Sequence, residues 1–524
     1  MQKNLILALV LSSLVYLLWY SFLEKRYGQS QKSQITASAG VESRDKAVTG
    51  AAKQPKTDYA KPVEEKRGEV KKNWTEKAVS LKTSKSEILL DLNGANIRSY
   101  VYQGPVSPVE LVISPEYGIF NCFDDLAFRL LDKTGNMAVF EAQTQNMVIR
   151  KKLVFSPENK LNTLEISATN KGSQSLEMNE WALGIGPGLG TASSEQKENT
   201  KVWSAKYAVK HKDRKNPSII TLKENAEAPG WIWAGLDNRY FIAAVTGEGI
   251  EKRNNLNFSQ MEIDKNKAPY LSIPFEKTSL APGQTKSWKM NFYIGPKDYG
   301  LLQSIGQGLA QSVDFGFFAP LAKLANSSLV YFYDLSGNYG VAIIIISVIV
   351  QIIIFPLSWK SYKAMNIMKK IQPQIQYLQQ KYKNDPKRLN AEILDIYKKH
   401  GANPLGGCLP MLLQIPIFFA LFTALRNSWN LHGAPFMFWI KDLSAKDPFY
   451  VMPVVMGLIM FLQQHFNPQS SEPSQAMIMK WMPVIFTFMF LSFPSGLVLY
   501  WLINSIFGFA QQMYMQKAFK GDKQ

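Results

Sequence analysis

Residues 341–357 read VAIIIISVIVQIIIFPL, and Gln351 is the one amide in the middle of this apolar run. The run is long enough to cross a bilayer, and a polar side chain at that depth marks a functional position by default. Lys360, Lys363, Lys369 and Lys370 follow at once, so this end of the span is expected to emerge on the cytoplasmic side.

Reading outward, four more apolar segments occupy residues 409–425, 449–466, 477–493 and 497–515. An earlier run, 5–22, follows only Lys3. The triplet Ala37-Ser38-Ala39 lies too far beyond it for normal cleavage, so residues 1–24 are expected to be a retained anchor. Six spans result. Residues 25–77 are rich in Lys, Glu, Ser, Ala, Gln and Thr and read as a disordered linker.

Residues 78–297 change character. Short alternating or β-branched runs at 86–92, 138–140, 147–155, 162–168, 240–246 and 287–294 are separated by turn residues such as Asn93-Gly94 and Ala281-Pro282-Gly283. This predicts a large all-β sandwich, with Trp181, Trp203, Trp231, Trp233 and Trp288 packing its core rather than lining a cleft. Residues 298–336 place Leu302, Ile305, Leu309 and Val313 at helical spacing, followed by Phe315, Phe317 and Phe318. An amphipathic helix on the outer membrane surface is expected there.

Charge sets the orientation. Residues 359–404 hold ten Lys or Arg against Asp385, Glu392 and Asp395, whereas residues 426–448 are nearly balanced. The basic loop therefore faces the cytoplasm, which puts both termini inside and the β domain outside. Within this loop, at 360–403, Met365, Met368, Ile371, Ile375, Leu378 and Tyr382 mark one helix bearing Lys369 and Lys370. Asp385 and Pro386 are expected to cap a second, which carries Lys387 and Arg388 and stops at Gly401. A projecting helical hairpin with a contact surface is predicted.

The net charge of +18 suits anionic lipid or RNA-rich partners but proves neither, and the mean hydropathy of -0.12 averages a polar half with an apolar one. Two cysteines, Cys122 and Cys408, and four scattered histidines supply no disulfide framework or metal site. No cofactor is expected, and no nucleophile or paired-carboxylate motif with usable spacing points to an enzyme.

Polar residues recur within the spans: Ser347 and Gln351 on one face, Gln414, Gln463 and Gln464, then Asn504, Gln511 and Gln512. Singly each serves as interhelical glue; together they can wet a shared cavity. Strict counting leaves the last two spans only thirteen residues each, 481–493 and 497–509, roughly 20 Å of helix against roughly 30 Å of hydrocarbon, which suggests a thinned bilayer.

From residue 337 to the C-terminus the chain resembles the YidC family of membrane protein insertases in its Gram-negative form. The resemblance rests on Phe355-Pro356-Leu357, NPLGGCLPMLLQIPIFFAL at 403–421, APFMFWIKDLSAKDP at 434–448, MPVIFTFMFLSFPSGLVLYW at 482–501 and Gln511-Gln512. WIWAGLDNRYFIAAV at 231–245 looks like a segment of that family's outer domain.

The resemblance implies a five-span insertase core over 337–524, with a groove open to cytoplasm and lipid, closed outside, and free of covalent chemistry. It places substrate contacts on Ser347, Tyr500 and Trp501, beside Gln351, Gln414, Asn504 and Gln511. The hairpin would capture the incoming chain first. Partners implied are nascent membrane proteins, a Sec-type translocon, lipid and, through the basic hairpin and short tail, the ribosome. Specific nucleic-acid binding is not implied, and a monomer in the bacterial inner membrane is expected. The family's groove usually carries arginine where this chain has Gln351, and an amide cannot attract an acidic flank as a cation does. The rival readings are a solute transporter, which predicts internal repeats that are absent from the sequence, and a membrane-anchored outer-face binding protein.

Overall fold

The structure is a computed structural model that describes residues 78–158, 160–211, 213, 216–247, 250, 255–402, 409–466 and 473–521. The expected anchor, the linker and Cys408 lie outside these residues.

The β domain begins with β1 (Val79–Lys82), β2 (Ser86–Leu90), β3 (Ile97–Gln103) and β4 (Pro108–Glu110), a four-stranded antiparallel sheet in chain order. Next come β5 (Arg129–Thr134), β6 (Met137–Gln143), β7 (Met147–Val154), β8 (Asn162–Asn170), β9 (Leu176–Met178) and β10 (Trp181–Ile185). After the short helix α1 (Gln196–Val202) follow β11 (Ser204–Val209), β12 (Ser218–Leu222), β13 (Ala226–Glu227), β14 (Trp233–Asp237) and β15 (Phe241–Thr246). The last four are β16 (Asn255–Ile263), β17 (Asn266–Phe275), β18 (Thr278–Leu280) and β19 (Thr285–Pro296).

Nine of these strands form one sheet in the order β12-β11-β14-β15-β19-β8-β7-β6-β5, and smaller sheets, β10-β17-β16-β13 and β18-β9, complete the domain. Strand alternation then decides which side chain enters which core. In β15, Phe241, Ala243 and Val245 join the main apolar cluster, whereas Ile242 and Ala244 join a second one with Trp233 and Tyr293. Both faces of this central strand are buried, which is why it reads as a continuous apolar run. Gly235 on neighbouring β14 is required by this closeness, since a Cβ there would meet the Ala243 carbonyl oxygen at 2.2 Å. Trp231, Trp233 and Trp288 are buried and Trp181 stacks on Phe275 at 4.1 Å, so tryptophans do pack the core.

The segment after β19 departs from expectation. Leu302, Leu309, Val313 and Phe315 are buried in the second cluster, against one face of the nine-stranded sheet. They lie on α2 (Tyr299–Ile305) and a 3-10 turn at Leu309–Ser312, separated by Gly306 and Gly308, both with positive φ. Helical spacing here came from two short pieces covering a sheet, not from one helix lying on a membrane. The longer amphipathic helix is α3 (Ala319–Ser336), which exposes Leu321, Leu324, Tyr331 and Leu335 and packs along α6 (Leu409–Arg426).

Full charges lie inside the β domain. Arg98 Nε donates to Asp91 Oδ2 at 2.6 Å, and Lys151, fully buried, donates to the carbonyls of Gly94 and Phe120 and to Asn96 Oδ1. Asp237 Oδ2 accepts from Lys297 and Lys206, each at 2.9 Å. Burial alone would raise the Asp237 carboxyl, but the two ammonium groups outweigh it and hold it below its ordinary value.

Helix α4 (Tyr339–Lys381) is continuous for 43 residues, so the span and the first hairpin helix are a single element that passes through Pro356. A helix can carry proline within a span because neighbouring groups re-satisfy the freed carbonyl. Its start is fixed by Asn338 Oδ1, which accepts from the amides of Gly340 and Val341. The chain divides into two compact units, and the smaller includes residues 366–404. There α5 (Pro386–Lys399) begins as expected, with Asp385 Oδ1 accepting from the Arg388 amide at 3.1 Å. Lys369, Lys370, Lys387 and Arg388 are exposed, and the Arg388 guanidinium lies 5.2 Å over the Tyr382 ring.

The remaining helices are α7 (Val451–Phe466), α8 (Pro473–Phe490) and α9 (Ser495–Gly521). At 18 and 27 residues, α8 and α9 extend about 27 Å and 40 Å. The apolar part of α8 is nevertheless short, Lys480–Phe490, and the helix begins well before it. Among the described residues, α4 is the one helix long and apolar enough to meet a spanning criterion; shorter apolar helices occur at Leu413–Arg426, Val451–His465 and Lys480–Phe490.

Candidate functional site

On α9, Tyr500, Asn504, Gly508 and Gln512 recur every fourth residue and so form one stripe. Each rung bonds to another helix. Gln414 Nε2 of α6 donates to the Tyr500 hydroxyl at 2.6 Å, and Gln351 Nε2 of α4 donates to Asn504 Oδ1 at 2.7 Å. Farther along, the Tyr362 hydroxyl of α4 reaches the Gly508 carbonyl at 3.5 Å, and Gln512 Nε2 donates to the Gln463 carbonyl of α7 at 3.4 Å. Glycine at 508 is part of this arrangement, since a Cβ there would stand 3.2 Å from Gln463 Nε2.

The sequence-predicted residues are thus brought together unequally. Gln351, Gln414, Tyr500 and Asn504 belong to the stripe and its partners. Ser347 is fully buried, and its hydroxyl donates to the Ile343 carbonyl of its own helix at 2.7 Å, which takes it out of the polar network. Trp501 packs among Phe418, Phe486 and Phe490, with ring centroids 4.9 to 5.8 Å away, as an apolar wall beside the stripe. Gln511 is half-buried, one position off the stripe that Gln512 occupies. Met365 and Met368 lie half-buried near the middle of α4, beyond the span.

One end of the stripe is shut by packing. The turn before α9 is laced to the loop between α6 and α7: the Ser495 hydroxyl and amide donate to the Ala445 carbonyl, and the Gly496 amide to Leu443. That loop is itself pinned by Asp447, which accepts from Trp439 Nε1 at 3.0 Å and from the Met452 amide at 2.8 Å. Beside Tyr500 a narrow apolar cleft is bounded by Leu329, Ile343, Ile346, Leu421 and Leu425.

Trp429 was not foreseen. It lies in the same loop, yet its ring is buried in the main core of the β domain, 4.6 Å from Phe241 and 5.7 Å from Tyr240. Asn430 Nδ2 adds a hydrogen bond to Asp298 Oδ2 at 2.8 Å, and Asn427 Nδ2 one to the Asp314 carbonyl at 2.8 Å. A large apolar ring in a polar loop was the available signal.

Residues 331–523 match the family profile described as 60Kd inner membrane protein, and residues 127–325 match the one described as YidC periplasmic domain. A solved structure described as an active YidC insertase with the first transmembrane domain resolved is 18% identical, with a TM-score of 0.40, covering 83% of this chain and 92% of that one. The membrane protein insertase YidC of Endomicrobium trichonymphae is 37% identical over 533 residues, covering 99% of this chain and 98% of the relative. That of Syntrophus aciditrophicus is 34% identical over 556 residues, covering 99% and 100%. Identity of this order over the full length of both chains shows that this inner-membrane protein belongs to the YidC family of membrane protein insertases, which act without enzymatic chemistry.

Proposed function

We propose that the α9 stripe and its partners on α4, α6 and α7 are the polar wall of a groove open to cytoplasm and lipid. The hydrophobic segment of a nascent membrane protein slides along α4 and α9 while its short polar flank passes along the stripe. The observation that carries this is the four-rung ladder from Tyr500 to Gln512, polar side chains held inside otherwise apolar helices. A charged residue at the middle of a spanning helix costs roughly 2.5 to 3.5 kcal/mol on insertion scales, and a polar path lowers that cost. Substrate contact is assigned to Gln351, Gln414, Tyr500, Trp501 and Asn504, with Ser347 and Gln511 at the margins.

The same reading takes six spans, both termini in the cytoplasm and an outer β sandwich, supported by the charge asymmetry of the loops. The exposed cations of the hairpin, Lys369, Lys370, Lys387 and Arg388, favour first contact with a nascent chain, with anionic lipid or with ribosomal RNA. A chaperone role beside a Sec-type translocon follows from the same lateral opening.

Purified protein in liposomes is expected to insert a one-span substrate without ATP. Insertion no better than in empty liposomes would sink the reading, and uptake of a small solute in the same vesicles would favour a transporter instead.

A further inference from the structure

Residues 339–359, 409–425, 451–464 and 481–516 contain no Asp, Glu, Lys or Arg. These are the apolar stretches of α4, α6, α7, α8 and α9. Every rung of the stripe is accordingly neutral: amides, two phenols and two backbone carbonyls. An amide carries both a donor and an acceptor and can bond a carboxylate or an ammonium, whereas a fixed charge attracts one sign and repels the other.

The pair at the centre is built for exchange. Gln351 is buried and commits Nε2 to Asn504 Oδ1, while Asn504 Nδ2 is buried with no close hydrogen bond and keeps only a looser contact with the Tyr500 hydroxyl one turn back. Parting the two amides gives up one hydrogen bond and frees a donor and an acceptor on opposite helices. A polar flank entering between α4 and α9 replaces that bond in kind, whichever sign it carries, because no buried ion has to be stripped of a partner.

We propose that Gln351 and Asn504 are the specificity-determining pair of this insertase and make its groove indifferent to the sign of charge on the flank it admits. The proposal rests on the groove reading above. The full chain is placed in vesicles of uncharged lipid with no imposed potential, since anionic lipid and a membrane potential both act on charged flanks by themselves. Three substrates are identical except for two flank residues, Asp-Asp, Ser-Ser or Lys-Lys. The wild type is expected to insert the Asp and Lys forms within about threefold of each other, while Gln351→Arg moves the ratio about tenfold or more toward Asp and Asn504→Asp moves it comparably toward Lys.

Each rate is divided by that of the Ser form with the same variant, so a poorly folded variant lowers all three and leaves the ratio readable. A wild-type preference of tenfold or more for either sign would overturn the proposal, as would ratios unmoved by both variants. Failure of the wild type on the Ser form alone would instead strike the groove reading, which separates the two.

Discussion

In the β domain, full charges sit in or against the core: Arg98 against Asp91, Lys297 and the half-buried Lys206 against Asp237, and Lys151 among three oxygens. Among the described residues, the ladder between the apolar helices is instead made of amides, hydroxyls and carbonyls. The difference follows from what each backbone leaves over. Turns and strand ends of the β domain offer spare carbonyls, such as those of Gly94, Phe120 and Asn238, which can complete the solvation of an ammonium. A spanning helix uses its own carbonyls in its ladder, so a charge there would find partners only among side chains.

The largest break in this contrast is Asp237→Ala, which leaves Lys206 and Lys297 facing each other without a carboxylate. A loss of about 3 to 5 kcal/mol is expected in denaturant unfolding of the full chain in detergent. A loss below 1 kcal/mol would show that the buried pair is relaxed by solvent. Next is a charge moved the other way. Gln351→Asp is expected to cost the core roughly 2.5 to 3.5 kcal/mol, seen as a lower fraction of correctly integrated protein than with Gln351→Leu. Equal fractions for the two would mean that the core tolerates ions as the β domain does.

Acid sharpens the contrast further. Because the Asp237 carboxyl is held below its ordinary 3.8, the stability it contributes is present above that pH and is lost as pH falls through the depressed value. Asp237→Asn should therefore be less stable at neutral pH and flatter below pH 3.8, read by tryptophan fluorescence during acid titration. The smallest effect is on the surface, where Lys82 Nζ meets exposed Glu87 at 2.7 Å. Lys82→Ala is expected to change stability by less than about 1 kcal/mol and to lose even that in high salt.

What could be read from the chain alone follows the range of the interactions. Strands β7, β8, β15 and β19 fall where the alternating or β-branched runs placed them, and Asp385-Pro386 starts α5 as capping chemistry requires. Those signals are local. The nine-strand order is not local: β19 pairs with both β15 and β8, and no local pattern names those partners. The spacing of Leu302, Leu309 and Val313 was misleading for a physical reason, since a helix covering a sheet and a helix lying on lipid need the same apolar face. In the site, Gln351 stood out at once as polar in an apolar run, but its partner lies 153 positions away. Ser347 looked equivalent by spacing, and only the bond to Ile343 shows that its hydroxyl is already spent.

The seating of Trp429 bears on how far the parts of this molecule can be exchanged. Its ring rests on Tyr102, Tyr240 and Phe241, and Gly104 lies so near that a Cβ would stand 3.4 Å from the indole. A hybrid built by joining the outer domain of one relative to the helices of another inherits this fit at neither end. Such a hybrid keeps its register only if the loop carrying Trp429 is transplanted together with the strands that receive it, so the natural unit of exchange crosses the boundary between the two halves.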